Sequence, residues 1–166
     1  MLMKNNKFNT AEPLGYFITW AAYGTWLPGD ERGWQRKGFE RQSPNSLFRE
    51  MAASKMGEAE FCLNPHDREI VKSTVCRHCQ IRDWELHAVD ARSNHVHVIV
   101  TAPGYKPEVV REQLKAWSTR KMKAVCPDRK KFWVEGGSRR YLNTQQDLEN
   151  AMMYVTEAQD RKGLDE

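Results

Sequence analysis

The chain has 166 residues, of which 40% are hydrophobic and 29% are charged, a composition typical of a single globular domain. No apolar run approaches the roughly 20 residues that a membrane-spanning helix needs, so we expect no membrane partner. The first residues carry no apolar segment of the secretory type, and we expect a cytoplasmic protein whose four cysteines are reduced thiols.

The predicted structure begins with a strand. Residues 14–27 are aromatic and β-branched, and the strand ends at Pro28 and Gly29. Residues 29–64 then mix glycine, charge and isolated aromatic residues. We expect a long excursion there, with one short helix near 46–56.

The middle of the chain predicts a helix and a hairpin. A helix over 65–84 starts with Asn64 as N-cap and Pro65 in its first turn. Two strands, 85–92 and 95–102, follow it and are joined by a turn at residues 93–94.

The last third predicts a helix, a strand and a final helix. The helix covers 106–125, and an extended segment with a Gly-Gly break covers 130–144. The final helix covers 144–163 and is capped by Asn143 or Thr144. This order predicts one α+β domain over 1–166, an antiparallel sheet with helices packed on one face, ferredoxin-like or similar to the RNA-recognition motif.

Two histidines open the most apolar strand, in the segment "ARSNHVHVIVTAP". His95 and His97 point to the same face, because side chains alternate along a strand. Paired neutral imidazoles suit a divalent or transition metal ion, whereas an exposed polar strand face is the simpler interpretation. Polar pairs are costly at the start of a central strand, and this favours the metal site.

A tyrosine on the final helix is a candidate nucleophile. The phenol of Tyr154 is a weak acid that can attack phosphorus beside a metal-polarised phosphate and form a phosphotyrosine. That intermediate keeps the energy of the phosphodiester bond, as breaking and rejoining DNA requires. The alternative is a ring that packs in the core with its hydroxyl at the surface.

Positive charge is concentrated late in the chain and indicates a polyanion partner such as nucleic acid. Residues 111–140 hold ten Lys or Arg against three acidic residues. The candidate phosphate contacts are Arg111, Lys115, Arg120, Lys121, Lys123, Arg129, Lys130, Lys131, Arg139 and Arg140. Among the tryptophans, Trp34 is the best candidate for stacking on unpaired bases.

The cysteines do not predict a zinc site. Cys76 and Cys79 have suitable spacing, but they lie inside a helical pattern and no second close pair follows. We therefore expect buried thiols.

Four segments in order resemble the single-tyrosine transposases of the HUH type (His, hydrophobic residue, His), in particular the REP-associated tyrosine transposases and small insertion-sequence transposases. They are the His95–His97 strand, the basic helix that follows it, "FWVEGGSRRYLN" and the final helix with "YVTEAQ". The opening "FITWAAYGTWLPGDERGW" also resembles the first strand and following loop of such proteins. The resemblance covers roughly 14–160.

The resemblance implies roles for these residues. His95 and His97 match the metal ligands, and Tyr154 matches the nucleophile that becomes joined to a 5′ phosphate of single-stranded DNA. The implied cofactor is Mg or Mn, the implied substrate is hairpin DNA formed by a palindromic repeat, and the implied assembly is a homodimer. The resemblance also implies a bacterial cytoplasmic enzyme that acts at the nucleoid.

The implied third metal ligand is missing. Such proteins usually carry Asn or Gln four residues after the tyrosine, and here that residue is Ala158. Glu157 stays on the face of Tyr154, whereas Gln159 turns about 140° away in a regular helix. We expect Glu157 or Gln159 to replace the missing ligand, the latter only if the helix is locally irregular.

Three functions follow as hypotheses. The leading one is a DNA endonuclease and strand transferase that acts through a 5′-phosphotyrosine. The second is a module that binds nucleic-acid hairpins without cutting them. The third is a metal-dependent nuclease that activates water and forms no covalent adduct.

Overall fold

The structure, a computed structural model, describes residues 12–25 and 42–158. In these two stretches the elements are β1 (Gly15–Ala21), α1 (Ser46–Ser54), α2 (Pro65–Arg82), β2 (Glu85–Ala91), β3 (His95–Thr101), α3 (Pro107–Val125), β4 (Ser138–Leu142) and α4 (Gln145–Met153), followed by a π-helical turn over Tyr154–Ala158. None of the described helices is long and apolar enough to cross a membrane.

The strands form one antiparallel sheet in the order β2-β3-β1-β4. Together with α2 and α3, the chain order is βαββαβ, which is the ferredoxin-like arrangement. The predicted α+β fold is therefore confirmed. The two strands at the centre, β1 and β3, pair Thr19 with His97 and Ala21 with His95.

One face of the sheet is buried under α2 and α3. Ile18 and Trp20 of β1 lie there with Val96, Val98 and Val100 of β3, all at most 1% exposed. Val71 of α2 and Leu114 of α3 close the same cluster. Side chains of alternate strand residues thus build the main core.

The opposite face carries α4 and the π-helical turn. Ile99 and Leu142 of the sheet pack there against Leu148, Ala151 and Val155. The prediction that all helices lie on one face is therefore wrong for the last helix. Its apolar stripe predicts burial, but a stripe does not determine which face of a sheet it will cover.

The helix caps follow the sequence signals. Asn64 accepts from the backbone N–H of Asp67, and the Asp67 carboxylate accepts from the N–H of Asn64. For α4 the cap is Thr144, whose hydroxyl accepts from the N–H of Asp147. These side chains satisfy N–H groups that lack partners in the first turn of a helix.

Three predicted elements are longer than the observed ones. β1 stops at Ala21, before a turn in which Gly24 adopts a φ of 86°. The predicted strand over 130–144 forms only at 138–142, and before it Trp133 makes an isolated bridge to Ala22. The regular part of the last helix ends at Met153, where the π-helical turn begins.

The described part of the excursion returns to the core. The N–H of Phe61 donates to the carbonyl of Tyr23, and the N–H of Leu63 donates to that of Ser93. Both side chains are buried, whereas α1 buries none of its residues. The excursion is therefore anchored beside the loop that precedes His95.

Candidate active site

The two histidines lie side by side at the start of β3, on the face that carries α4. Their ring centroids are 4.6 Å apart, and His97 is buried while His95 is half-buried. The sheet register fixes this arrangement, since Thr19 and Ala21 occupy the facing positions of β1.

A side-chain oxygen holds Nδ1 of each imidazole. Nδ1 of His97 lies 2.8 Å from Oγ1 of Thr19, and Nδ1 of His95 lies 2.7 Å from Oδ1 of Asn94. Histidines that bind metals usually use one ring nitrogen for the ion and hydrogen-bond through the other. The contacts at Nδ1 therefore make Nε2 the nitrogen suited to an ion in both rings.

Tyr154 lies next to this pair. Its ring centroid is 5.9 Å from that of His97, although the two residues are far apart in the chain. Ala151 and Val155 on the same segment are at most 2% exposed and fix the helix on the sheet. The structure thus brings together His95, His97 and Tyr154, the three residues that sequence reasoning singled out from distant segments.

Phe17 is a common neighbour of the site residues. Its ring is 5.4 Å from that of His97 and 6.2 Å from that of Tyr154. The guanidinium carbon of Arg140 lies 5.5 Å from the same ring, from the β4 side. A single aromatic side chain of β1 therefore connects elements from three parts of the chain.

The structure forms no complete metal cluster with the third-ligand candidates. Glu157 is exposed, and within 12–25 and 42–158 no three His, Cys, Asp or Glu side chains are grouped so that they could hold an ion. Gln159 lies outside the described residues. The π-helical turn over Tyr154–Ala158 is nevertheless the local irregularity that a role for Gln159 requires.

Five of the predicted phosphate contacts are engaged within the protein. Lys115 is buried, and its ammonium donates to the carbonyls of Val134 and Gly136 at 2.9 and 2.8 Å. Burial lowers the pKa of this lysine. Two arginines form ion pairs, Arg111 with Glu112 at 3.0 Å and Arg139 with Glu108. Arg129 donates to the carbonyls of Ala59 and Lys131. The guanidinium of Arg120 lies 4.4 Å from the centre of the Trp117 ring. We therefore keep neither Lys115 nor Arg139 as a contact to DNA, because the first is buried and the charge of the second is paired with Glu108.

The other basic candidates are exposed but lie in different places. Lys121 and Lys123 are on α3, on the side of the sheet away from Tyr154. The backbone N–H groups of Lys130 and Lys131 donate to the Glu58 carboxylate, and these bonds lower the pKa of Glu58. The remaining candidate of the ten is Arg140, on the histidine face. Trp34 lies outside the described residues.

The cysteines show no common site. Cys79 is 2% exposed, and burial raises the pKa of its thiol to about 12. Cys62 and Cys76 are exposed, so the prediction of buried thiols is wrong for these two. For Cys76, which lies on α2, the sequence gives no local signal that distinguishes an exposed cysteine from a buried one.

Sequence reasoning missed Thr19, Phe17 and an ion pair beside the histidines. Asp90 faces His97 across β2 and β3, and its carboxylate pairs with Arg92 at 2.7 Å. The signal for all of them is the strand register, because residues directly opposite each other point to the same face. A single sequence predicts the strands but not their alignment.

Comparison with known proteins supports the fold and identifies a family. The sequence profile of the family described as "Transposase IS200 like" matches residues 58–157. Comparison with curated protein sequences finds no match.

Two solved structures are similar to the chain. One is a REP-associated tyrosine transposase bound to a REP hairpin, with a TM-score of 0.55 and 12% identity over 92% of this chain and 70% of that chain. The other, assigned as a transposase of Deinococcus radiodurans, has a TM-score of 0.47 and 15% identity over 86% of this chain and 88% of its own. The first likeness concerns the fold alone. Because the family profile spans more than half of the 166 residues, the chain belongs to the family of IS200-like transposases.

Proposed function

We propose that this transposase cleaves and rejoins single-stranded or hairpin DNA through a 5′-phosphotyrosine on Tyr154. The observation that carries the proposal is the 5.9 Å separation of the Tyr154 and His97 rings on one face of the sheet. A nucleophile and a pair of metal-ligand side chains, brought together from distant segments, match the requirements of phosphoryl transfer.

The histidine pair fits a divalent metal ion such as Mg or Mn. The donor set is two imidazoles, each held at Nδ1 by a side-chain oxygen, so the fit depends on Nε2 of His95 and His97. When bound, such an ion supplies charge that polarises the scissile phosphate and stabilises the leaving 3′ oxygen.

The residues of the chain perform the remaining steps. The Tyr154 hydroxyl loses its proton to solvent, and its oxygen attacks phosphorus to form a bond to the 5′ phosphate. The bond between phosphorus and the 3′ oxygen breaks, and that oxygen leaves as a 3′-hydroxyl after taking up a proton. Phe17 orients the attacking ring, since it contacts both Tyr154 and His97.

The π-helical turn supports Gln159 as the third ligand over Glu157. A π-helical turn closes from residue i to residue i+5, whereas a regular helix closes at i+4. The helix is irregular from Tyr154 to Ala158, which is the condition that a role for Gln159 was expected to need. The proposal predicts that Gln159→Ala weakens Mn binding more than Glu157→Ala does.

Hairpin DNA is the proposed substrate. The REP-associated tyrosine transposase of similar fold is bound to a REP hairpin. Exposed basic side chains, including Lys121, Lys123 and Arg140, can neutralise phosphates, and binding should weaken steeply with salt. We expect the enzyme to act on DNA in the bacterial cytoplasm. The homodimer stays a prediction, and the contact between Tyr154 and His97 within one chain supports a site that one subunit completes.

The test is capture of the covalent intermediate. The protein is mixed with Mn and a pool of labelled short DNA hairpins that carry randomised single-stranded flanks. We expect a protein–DNA adduct that resists denaturing electrophoresis and is lost in Tyr154→Phe. Tyr141→Phe is the matched control, because Tyr141 is exposed on β4 and faces the other side of the sheet.

The outcomes separate the alternatives. Cleavage that persists in Tyr154→Phe without an adduct would show a nuclease that activates water. Tight hairpin binding without cleavage, together with undetectable Mn binding, would show a binding module. Ala158, at the position where such proteins usually carry Asn or Gln, favours that module as the second candidate.

A further inference from the structure

We propose that Arg140 is a catalytic residue that contacts the scissile phosphate and neutralises its charge during attack by Tyr154. This inference rests on the proposed function, and it assigns to one arginine a role distinct from general DNA binding. It starts from the position of Arg140 in the sheet, where it pairs with Phe17 of β1.

The register places Arg140 on the histidine face. Phe17 and Thr19 alternate with the buried Ile18, and Arg140 faces Phe17 directly. The adjacent Arg139 faces Ile18 instead, and its side chain pairs with Glu108 at the start of α3. Two neighbouring arginines that look equivalent in the sequence therefore lie on opposite sides of the sheet.

Phe17 connects Arg140 with the reacting groups. The Arg140 guanidinium carbon lies 5.5 Å from the Phe17 ring centroid, a distance at which a cation is attracted to the face of a ring. The same ring lies 5.4 Å from His97 and 6.2 Å from Tyr154. Arg140, His97 and Tyr154 therefore surround one ring, and the proposal places the phosphate that bridges the tyrosine and the histidine pair against the Arg140 guanidinium.

The charge of Arg140 is available for a substrate. The other arginine on this face near the histidines, Arg92, is paired with Asp90 at 2.7 Å. Within the described residues no carboxylate pairs with Arg140, and the side chain is exposed. A guanidinium offers two parallel N–H groups to two phosphate oxygens, which fixes the phosphate as well as neutralising it.

The proposed step accumulates negative charge that Arg140 can neutralise. As Oη of Tyr154 bonds to phosphorus and the bond to the 3′ oxygen breaks, negative charge accumulates on the non-bridging oxygens. Preorganised donors at such oxygens typically contribute about 10²- to 10³-fold in rate. Arg140 itself neither gains nor loses a proton.

The experiment compares Arg140→Gln with Arg139→Gln in single-turnover adduct formation at saturating hairpin DNA and Mn. We expect Arg140→Gln to slow adduct formation by about 10²-fold or more. Arg139→Gln should change the rate by less than a few fold, although it removes the same charge. Arg140→Lys keeps the charge but lacks the two parallel N–H groups, so its rate should lie between those of the other two variants. Circular dichroism should show that all three variants are folded.

A neutral phosphate tests the mechanism directly. After the cleaved linkage has been mapped by sequencing the released 3′ end, a methylphosphonate is placed there, which removes the charge of one non-bridging oxygen. On this substrate, adduct formation by Arg140→Gln should be slower than that by the unmodified protein by no more than about 10-fold, because little charge remains to be neutralised.

Each outcome has one interpretation. An adduct in the unmodified protein, with an unchanged rate in Arg140→Gln or an equal loss in Arg139→Gln, overturns the role of Arg140 and leaves the proposed function standing. An unchanged deficit on the methylphosphonate also overturns it. No adduct in the unmodified protein overturns the proposed function and the role of Arg140 together.

Discussion

The two faces of the sheet are built from the same strands but differ in almost every physical property. Toward α2 and α3, β1 and β3 contribute aliphatic and aromatic side chains that are fully buried, such as Ile18, Trp20 and Val98. Toward α4, the alternate residues of the same strands include Phe17, Thr19 and His97. One face carries the larger apolar core, while the other combines a smaller apolar cluster around Ile99 with polar groups beneath a single short helix.

This division shows how a small domain can hold a polar site without losing its core. A small number of specific contacts fix the polar face. Ala151 and Val155 pack against Ile99, and the Thr19 hydroxyl contacts Nδ1 of His97. Replacements on the two faces should therefore separate into those that change stability and those that change chemistry.

The largest expected effect on stability comes from the buried face. Ile18→Ala should lower the free energy of unfolding by about 2–5 kcal/mol, because it removes a fully buried side chain and leaves a cavity. Its neighbour provides the control, since Thr19→Ala removes one hydrogen bond at a partly exposed position and should cost about 0.5–1.5 kcal/mol. Urea unfolding measures both, and equal losses would contradict the division between the faces.

The next effect concerns metal affinity on the polar face. Thr19→Val keeps the shape of the side chain but removes the oxygen beside Nδ1 of His97. Loss of such a supporting contact typically costs about 10- to 100-fold in metal affinity, and we expect a change of this size in Mn binding followed by electron paramagnetic resonance.

The matched control for that change is Thr156→Val. Thr156 is exposed in the π-helical turn that begins at Tyr154, and its hydroxyl donates to the carbonyl of Met152. Its loss should leave Mn affinity unaltered. Unchanged affinity in Thr19→Val would mean that Thr19 does not orient the proposed ligand.

The local elements of the fold were predictable because their signals are local. The N-cap at Asn64, the hairpin with its turn at residues 93–94 and the helix that follows Lys106 each depend on residues a few positions apart. The sequence also predicted that His95 and His97 point to the same face, since this requires only that side chains alternate along a strand.

The surroundings of the site were not predictable from the same patterns. Thr19 meets His97 across 78 residues, and only the register of β1 against β3 brings them together. The basic residues show the same difficulty, because Lys115 and Arg140 were both predicted to contact phosphates, but one is buried and the other is exposed. Charge counts predict a polyanion partner, whereas burial decides which charges can reach it.

The smallest expected effect tests how completely water is excluded from the buried face, and it uses the thiol of Cys79. Burial raises its pKa from 9.0 to about 12, so the folded chain holds the thiol proton more tightly than the unfolded chain does. Stability is therefore intact below pH 9 and falls as the pH rises from 9 toward 12. The expected loss between pH 8 and pH 10 is about 1.4 kcal/mol.

The comparison with Cys76 isolates that loss. Cys76 lies one turn earlier on α2 but is exposed, so Cys76→Ala should keep the pH-dependent loss while Cys79→Ala abolishes it. Urea midpoints at pH 8 and pH 10 provide the measurement, with each variant referred to its own value at pH 8. If both variants followed the same pH dependence as the unmodified chain, water would reach Cys79, and the layer beneath α2 would be less completely desolvated than its packing indicates.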